Sequence, residues 1–298
     1  MEGYVATIGM FDGVHLGHQF VIRQVVQCAR ERGLLSMALT FDHTVRREAV
    51  LTPLDEKLRL LNATGLDRVE VLPFTRELKS LTAREFMQQV LKEQLHVCVL
   101  MTGYDNRFGH NREEGFDDYV YYGRELGIEV VSLPPAPSGG GGGVVSSSYI
   151  RQLLSEGRVE EASRCLGHPY LISGHVEHGE HVGTGLGYPT ANLVADDPNQ
   201  LIPANGVYAV QVFPPTASSS SMPYMGMMNI GTRPTFGVYP QTLEVHLLHY
   251  HGDLYGQRLG VSFVGRIREE RRFDHLEALK RQLQQDAIQA ERIINNRK

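Results

Sequence analysis

Gly9-Met10-Phe11-Asp12-Gly13-Val14-His15-Leu16-Gly17-His18 decides the reading of the front half of the chain. Tyr4 to Ile8, just before it, is short, apolar and β-branched, the composition of a buried strand. Just after it, Ile22, Val25, Val26 and Ala29 recur at the spacing of one helix face over Gln19–Arg32, and Gly33 stands where that helix would stop. The stretch is therefore a strand-to-helix turn, the place where α/β sheets turn free helix amides toward phosphate. Gly13 and Gly17 have no Cβ to hold a phosphate chain away from the backbone. His15 and His18 are three apart, so on a first helical turn their imidazoles share a face and can stabilise charge growing on a phosphorus.

Working outward, Leu34–Phe41 is a second strand, which makes a βαβ unit and a sheet that begins parallel. Thr52–Leu61, with Pro53 in its first turn, reads as a helix. So does the segment from Thr82 to about Leu95, opened by a Thr82/Glu85 capping box. Val69–Leu72, His96–Met101 and Ile128–Leu133 read as strands, with a helix over Glu113–Gly127. Strict β/α alternation predicts a doubly wound, Rossmann-like sheet. A Pro- and Gly-rich loop over 134–143 leads into Ser147, Ser148 and Arg151 at a helix start, a group suited to an anion. No Gly-x-x-x-x-Gly-Lys-Ser/Thr sequence occurs, which argues against a Walker-type kinase.

After a short helical hairpin and a linker at His168-Pro169-Tyr170, the pattern changes to short strands, Gly/Pro turns and one terminal helix. This predicts a small antiparallel β-barrel with a C-terminal helix packed through Leu276, Leu279, Leu283 and Ile288. The domains are accordingly placed at 1–166 and 167–298. Strand alternation over Thr242–Leu248 sets Glu244 on the face opposite Leu243 and Val245. His175, His178 and His181 suggest a metal set, but Gly174, Gly179 and Gly183 argue against the helix that would bring them together.

The 298 residues carry a net charge of −5, so no global basic field favours nucleic acid, and no apolar run reaches membrane-spanning length. Three widely spaced cysteines, Cys28, Cys98 and Cys165, read as buried thiols of a cytoplasmic protein.

The His15-x-Gly17-His18 signature with Phe11-Asp12-Gly13 resembles the nucleotidyltransferase motif of bacterial bifunctional riboflavin kinase/FAD synthetases. Later motifs resemble the same family in the same order. They are Gly103 to Gly109, Val145 to Arg151, Gly183 to Asn192, Asn229 to Phe236, Glu244, and Ile267 to Phe273. Asn106 stands where the family has Phe, Thr184 where many members have Arg, and Asp42-His43-Thr44 near its Pro-His-Pro. The resemblance implies an N-terminal FMN adenylyltransferase and a C-terminal riboflavin kinase, with riboflavin, FMN and ATP as substrates and Mg²⁺ as cofactor. Neither nucleic acid nor membrane is expected as a partner.

By the same resemblance, His15, His18 and Glu244 are catalytic. Gly9, Phe11, Asp12, Gly13, Gly17, Ser147, Ser148, Arg151, Gly183, Gly185 and Gly187 hold nucleotide or phosphate. Asp105, Asn106 and Arg268 face flavin, and Thr190 and Asn192 ligate the metal. Two alternatives stay open at this stage: another nucleotidyltransferase with an appended flavin-binding barrel, or a flavin-binding protein with one activity lost.

Overall fold

The computed structural model describes residues 3–42, 49–103, 106–110, 113–134, 145–177, 190–213, 222–232 and 241–296. The chain divides into two compact units, Met1–Ser147 and Ser148–Lys298.

In the first unit, strands β1 (Tyr4–Ile8), β2 (Leu35–Phe41), β3 (Arg68–Leu72), β4 (Val97–Gly103) and β5 (Glu129–Leu133) form one sheet. It has the order β3-β2-β1-β4-β5, with every pairing parallel. Alternation along β1 sends Val5 to one face and Ala6 and Ile8 to the other. Helix α1 (Leu16–Arg32) covers the first through Val25 and Ala29. On the second lie α4 (Ala83–Phe86), the π-helix Met87–Gln94 that continues it, and α5 (Phe116–Leu126). Helices on both faces make the sheet doubly wound, as the alternation predicts. Between α1 and α4 stand α2 (Leu54–Asn62), preceded by Pro53 as its cap, and α3 (Arg76–Ser80), which sequence periodicity does not signal. The segment expected as one α-helix to Leu95 widens into the π turn, which seats Met87, Val90 and Leu91 in the core.

The chain order runs outward from β1 to β3, then returns beside β1 with β4. The switch point therefore lies between β1 and β4, and the crevice at their carboxyl ends is the ligand position of such sheets. Both N-terminal motifs occupy it: residues 9–18 follow β1, and Asn106 follows β4.

In the second unit, α6 (Ser147–Ser155) runs on from the boundary, and α7 (Val159–Leu166) packs on the barrel strand β11 (Arg258–Arg268). Strands β6 (Leu171–Glu177), β7 (Ala191–Ala195), β8 (Gly206–Phe213), β9 (Tyr224–Thr232), β10 (Gln241–Leu247) and β11 close into an antiparallel barrel of order β10-β7-β6-β11-β8-β9. Its interior is filled by side chains such as Tyr208, Val210, Met228, Val245 and Phe263, all 0% exposed. Tyr170, read from sequence as linker, is part of this core. It is 1% exposed, and its hydroxyl donates to Leu201 O at 2.6 Å.

The terminal helix α8 (Leu276–Asn295) corrects the expected packing stripe. Leu276 and Ile288 are 65% and 53% exposed, whereas Asp286, Ala290 and Ile294 are buried against the barrel. The thiols are also less buried than composition suggests: Cys98 is exposed, and Cys28 and Cys165 are half-buried.

Arg268, expected to face flavin, is ion-paired with Asp286 of α8. Nε lies 3.0 Å from each Asp286 carboxylate oxygen, and Nη2 donates to Oδ2 at 2.8 Å. Asp286 is 1% exposed, so this pair ties α8 to β11 from inside the helix-barrel interface. Removing one partner strands a buried charge. Asp286→Asn is expected to lower the stability of the second unit by about 3 kcal/mol, measured by denaturant unfolding, with FAD formation from FMN unchanged.

Candidate active sites

The N-terminal site is built by a strained turn. Phe11, Gly13 and Val14 all have positive φ, at 49°, 86° and 39°. Two non-glycine residues in that region cost energy and persist only where the surroundings over-determine them. The surroundings do so here. Asp12 is buried, and its Oδ1 accepts from the amides of Leu51 at 2.9 Å and Thr52 at 3.1 Å. Gly13 N donates back to Thr52 Oγ1 at 3.0 Å. Ser147 Oγ donates to Asp12 O at 2.9 Å, and Gly9 N to Leu39 O at 3.0 Å. Phe11 is buried with Val14, Ile22, Ala38 and Leu61. Phe11 and the Asp12 carboxylate therefore shape the turn from inside. Ser148 is exposed and Arg151 half-buried, both in the first turns of α6.

His15 caps α1. Its Nδ1 accepts from His18 N at 3.3 Å, which leaves the ring proton on Nε2. The His15 and His18 rings stack at 3.6 Å between centroids, tilted by 18°. A Cβ on Gly17 would lie 3.1 Å from the His15 ring, so glycine there lets the imidazole lie over the first helical turn. Phe11 meets His18 edge-on at 5.3 Å. Burial pushes the pKa of His15 down to about 4. Burial holds that of His18 well below its usual value, with further lowering from His15 and Lys57. The pair is thus neutral at pH 7 and offers N–H donors rather than two cations. This refines the sequence picture of charge neutralisation, because two stacked imidazoliums would repel. His18 Nδ1 is buried with no hydrogen-bond partner among the described residues.

Asn106 joins β4 to this turn, its Nδ2 donating to Ile8 O at 2.8 Å. One amide hydrogen is thereby used at the end of β1. Asp105 and His43 lie outside the described residues.

In the second unit, register assembles what the sequence separates by tens of residues. Glu244 on β10 is directly opposite Asn192 on β7 and Asn229 on β9. Directly paired residues share a face, so the three form one polar row. Leu243, Val245 and Leu247 point to the buried interior, and Glu244, half-buried, points away from it. Thr190 borders a cleft with Val176, Ala191, Val245, Leu247 and Tyr250. Gly183, Gly185 and Gly187 lie outside the described residues, as do Thr184, His178 and His181. His175 pairs with Asp196 at 2.8 Å, and no group of three metal-ligating His, Cys, Asp or Glu occurs among the described residues. Asn229 carries no chemical signal in sequence beyond its motif, and only register places it beside Glu244.

A Rossmann-type sheet with a histidine pair at its switch point, joined to a six-stranded barrel with a polar carboxylate row, defines a two-domain nucleotide-transfer enzyme. The comparisons make the class specific. The FAD synthetase family model matches residues 1–149 and the riboflavin kinase model residues 166–294. The bifunctional riboflavin kinase/FMN adenylyltransferase of Escherichia coli K12 is 39% identical over 97% of this chain and 92% of its own length. That of Pseudomonas fluorescens is 38% identical, again over 97% and 92%. The chain belongs to the bifunctional riboflavin kinase/FMN adenylyltransferase family.

A crystal structure described as a macrolide-efflux protein from Streptococcus pneumoniae shares the fold, with a TM-score of 0.85 and 31% identity over 96% of this chain and 92% of that one. The efflux description carries nothing over. Both family models describe flavin enzymes, and among the described residues no helix is long and apolar enough to cross a membrane.

Proposed function

We propose a division of labour for this riboflavin kinase/FMN adenylyltransferase in which each unit's own polar cluster carries one reaction. The enzyme phosphorylates riboflavin to FMN with ATP, and transfers AMP from ATP to FMN, giving FAD and pyrophosphate. Adenylyl transfer belongs to the turn at residues 9–18. There the α1 amides and the Nε2–H of His15 donate to the α-phosphate region, and the His18 ring donates a further hydrogen bond as charge builds. The observation that carries this reading is the stacked, neutral His15/His18 pair on a helix N-terminus at the sheet's switch point. Ser148 and Arg151, in the first turns of α6, are assigned to phosphate contacts.

Riboflavin phosphorylation belongs to the polar row of the barrel. Glu244 accepts the proton of the ribityl 5′-hydroxyl as that oxygen attacks the γ-phosphorus of ATP, and the bond to the β,γ-bridging oxygen breaks. Mg²⁺ fits the donor chemistry. Asn192 offers a carbonyl oxygen on the same face as Glu244, Thr190 offers a hydroxyl two residues earlier, and both are hard oxygens. When bound, the ion neutralises phosphate charge. Gly183, Gly185 and Gly187 are assigned to the phosphates of this second ATP, and Asp105 to flavin in the first unit. A cytoplasmic location is supported by three cysteines that form no disulfide.

The kinase unit is proposed to include α6 and α7 rather than to start at the strands. Ala204 N donates to Leu154 O at 3.0 Å, Arg266 N to Glu160 Oε1 at 2.9 Å, and Val159, Ala162 and Leu166 are 0% exposed. Each such side chain contributes roughly 1–3 kcal/mol by burial, comparable in sum with the whole stability of a domain. A fragment from 148 onward is expected to make FMN from riboflavin and no FAD. A fragment from 167 onward is expected to melt at markedly lower temperature. FAD produced by either fragment would overturn the division of labour.

A further inference from the structure

Lys57, on α2, is 4% exposed. A buried ammonium is costly unless its donors are used, and here they are used on backbone. Nζ donates to Phe41 O at 2.9 Å and to Met10 O at 3.3 Å. Phe41 ends β2, and Met10 immediately precedes Phe11, the first positive-φ residue of the strained turn. Thr40 Oγ1 donates to the same Met10 carbonyl at 3.2 Å. Phe11 in turn packs edge-on against the His18 ring. Ammonium, carbonyl, strained residue and imidazole are thus consecutive links.

We propose that Lys57 is a positioning residue for adenylyl transfer, fixing the path of the turn and the orientation of His18 through the carbonyls of Met10 and Phe41. The inference rests on the His15/His18 reading above. The charged or titratable groups that face Lys57 are Asp12 in the turn, Asp42 at the end of β2, and His18 on α1. Burial lowers the pKa of Lys57 and the two carboxylates oppose that lowering; the Lys57 charge adds to burial and His15 in disfavouring protonation of His18. The packing of α2 is what buries Lys57.

The test uses the full-length chain. Lys57→Met removes both hydrogen bonds and the charge at nearly constant length, and Lys57→Gln keeps a donor without charge. FMN adenylylation is assayed with riboflavin phosphorylation as the internal control, and the His18 imidazole is titrated by NMR. In the Met variant, kcat for adenylylation is expected to fall about tenfold to a hundredfold, with KM within about twofold. Kinase turnover should stay at the parent level, and His18 should titrate at higher pH than in the parent. Gln should recover part of the lost kcat.

Parent-level adenylylation in the Met variant overturns the proposal. So does a fall in kcat with His18 titrating as in the parent and Gln no better than Met, because Lys57 then only fills space. Should Met abolish the cooperative melting of the first unit, the Gln variant decides by the same two readouts. Failure of the underlying site reading would show separately, as full adenylylation in His18→Ala.

Discussion

His18→Ala is expected to slow FAD formation from FMN by about 10²–10³-fold, the loss typical when one pre-positioned transition-state donor is removed. The side chain is stacked on His15 and buried at Nδ1, so it is held in place before substrate arrives and loses nothing to reorganisation. Alanine retains the helix, because the α1 cap is supplied by His15 and not by His18. Riboflavin phosphorylation should therefore continue at the parent rate. Steady-state assays of the two reactions on one preparation decide the matter. A parallel fall in both would make His18 a folding residue of the whole chain. An unchanged FAD rate would remove it from catalysis.

Glu244→Gln should lower kinase turnover on the order of 10²-fold or more while leaving FMN adenylylation intact, since a positioned base commonly supplies that much. Gln matches the size of Glu and still accepts the hydroxyl hydrogen bond, but it takes no proton at neutral pH. Riboflavin binding, measured by quenching of flavin fluorescence, should persist. The position is half-buried and faces away from the barrel core, so the substitution should cost within about 0.5 kcal/mol of stability. Lost turnover with retained binding and stability separates a base from a structural carboxylate. Unchanged turnover would leave the polar row of Asn192, Glu244 and Asn229 without a catalytic member.

Local signals in the sequence carried the architecture. β/α alternation, the Gly33 stop and the apolar spacing of α1 are properties of neighbouring residues, and β1 falls at Tyr4–Ile8 as read. The face of Glu244 followed from period-two alternation alone, and the register agrees. Long-range pairing was hidden. Asp12 finds its partners at Leu51 and Thr52, Arg268 at Asp286, and Lys57 at Met10. None of these pairs lies at a helical or strand spacing, so no periodicity encodes it. For the same reason α8 was oriented by its leucines, while the buried position on the barrel is a paired aspartate. The histidine pair was visible by spacing. Its stacking and its neutrality depend on burial that one sequence does not display.

Among the described residues the barrel strands close on themselves and leave no lateral row of unpaired backbone, whereas the parallel sheet ends at β3 and β5, each paired on one side. Such margins are templates for strand addition between molecules. Both are five residues long, and both carry charge: Arg68 and Glu70 on β3, and Glu129, bound to Arg32, on β5. Charge on a short edge strand disfavours such addition. Short, charged edges thus blunt strand addition in the first unit, where closure does so for the barrel strands of the second.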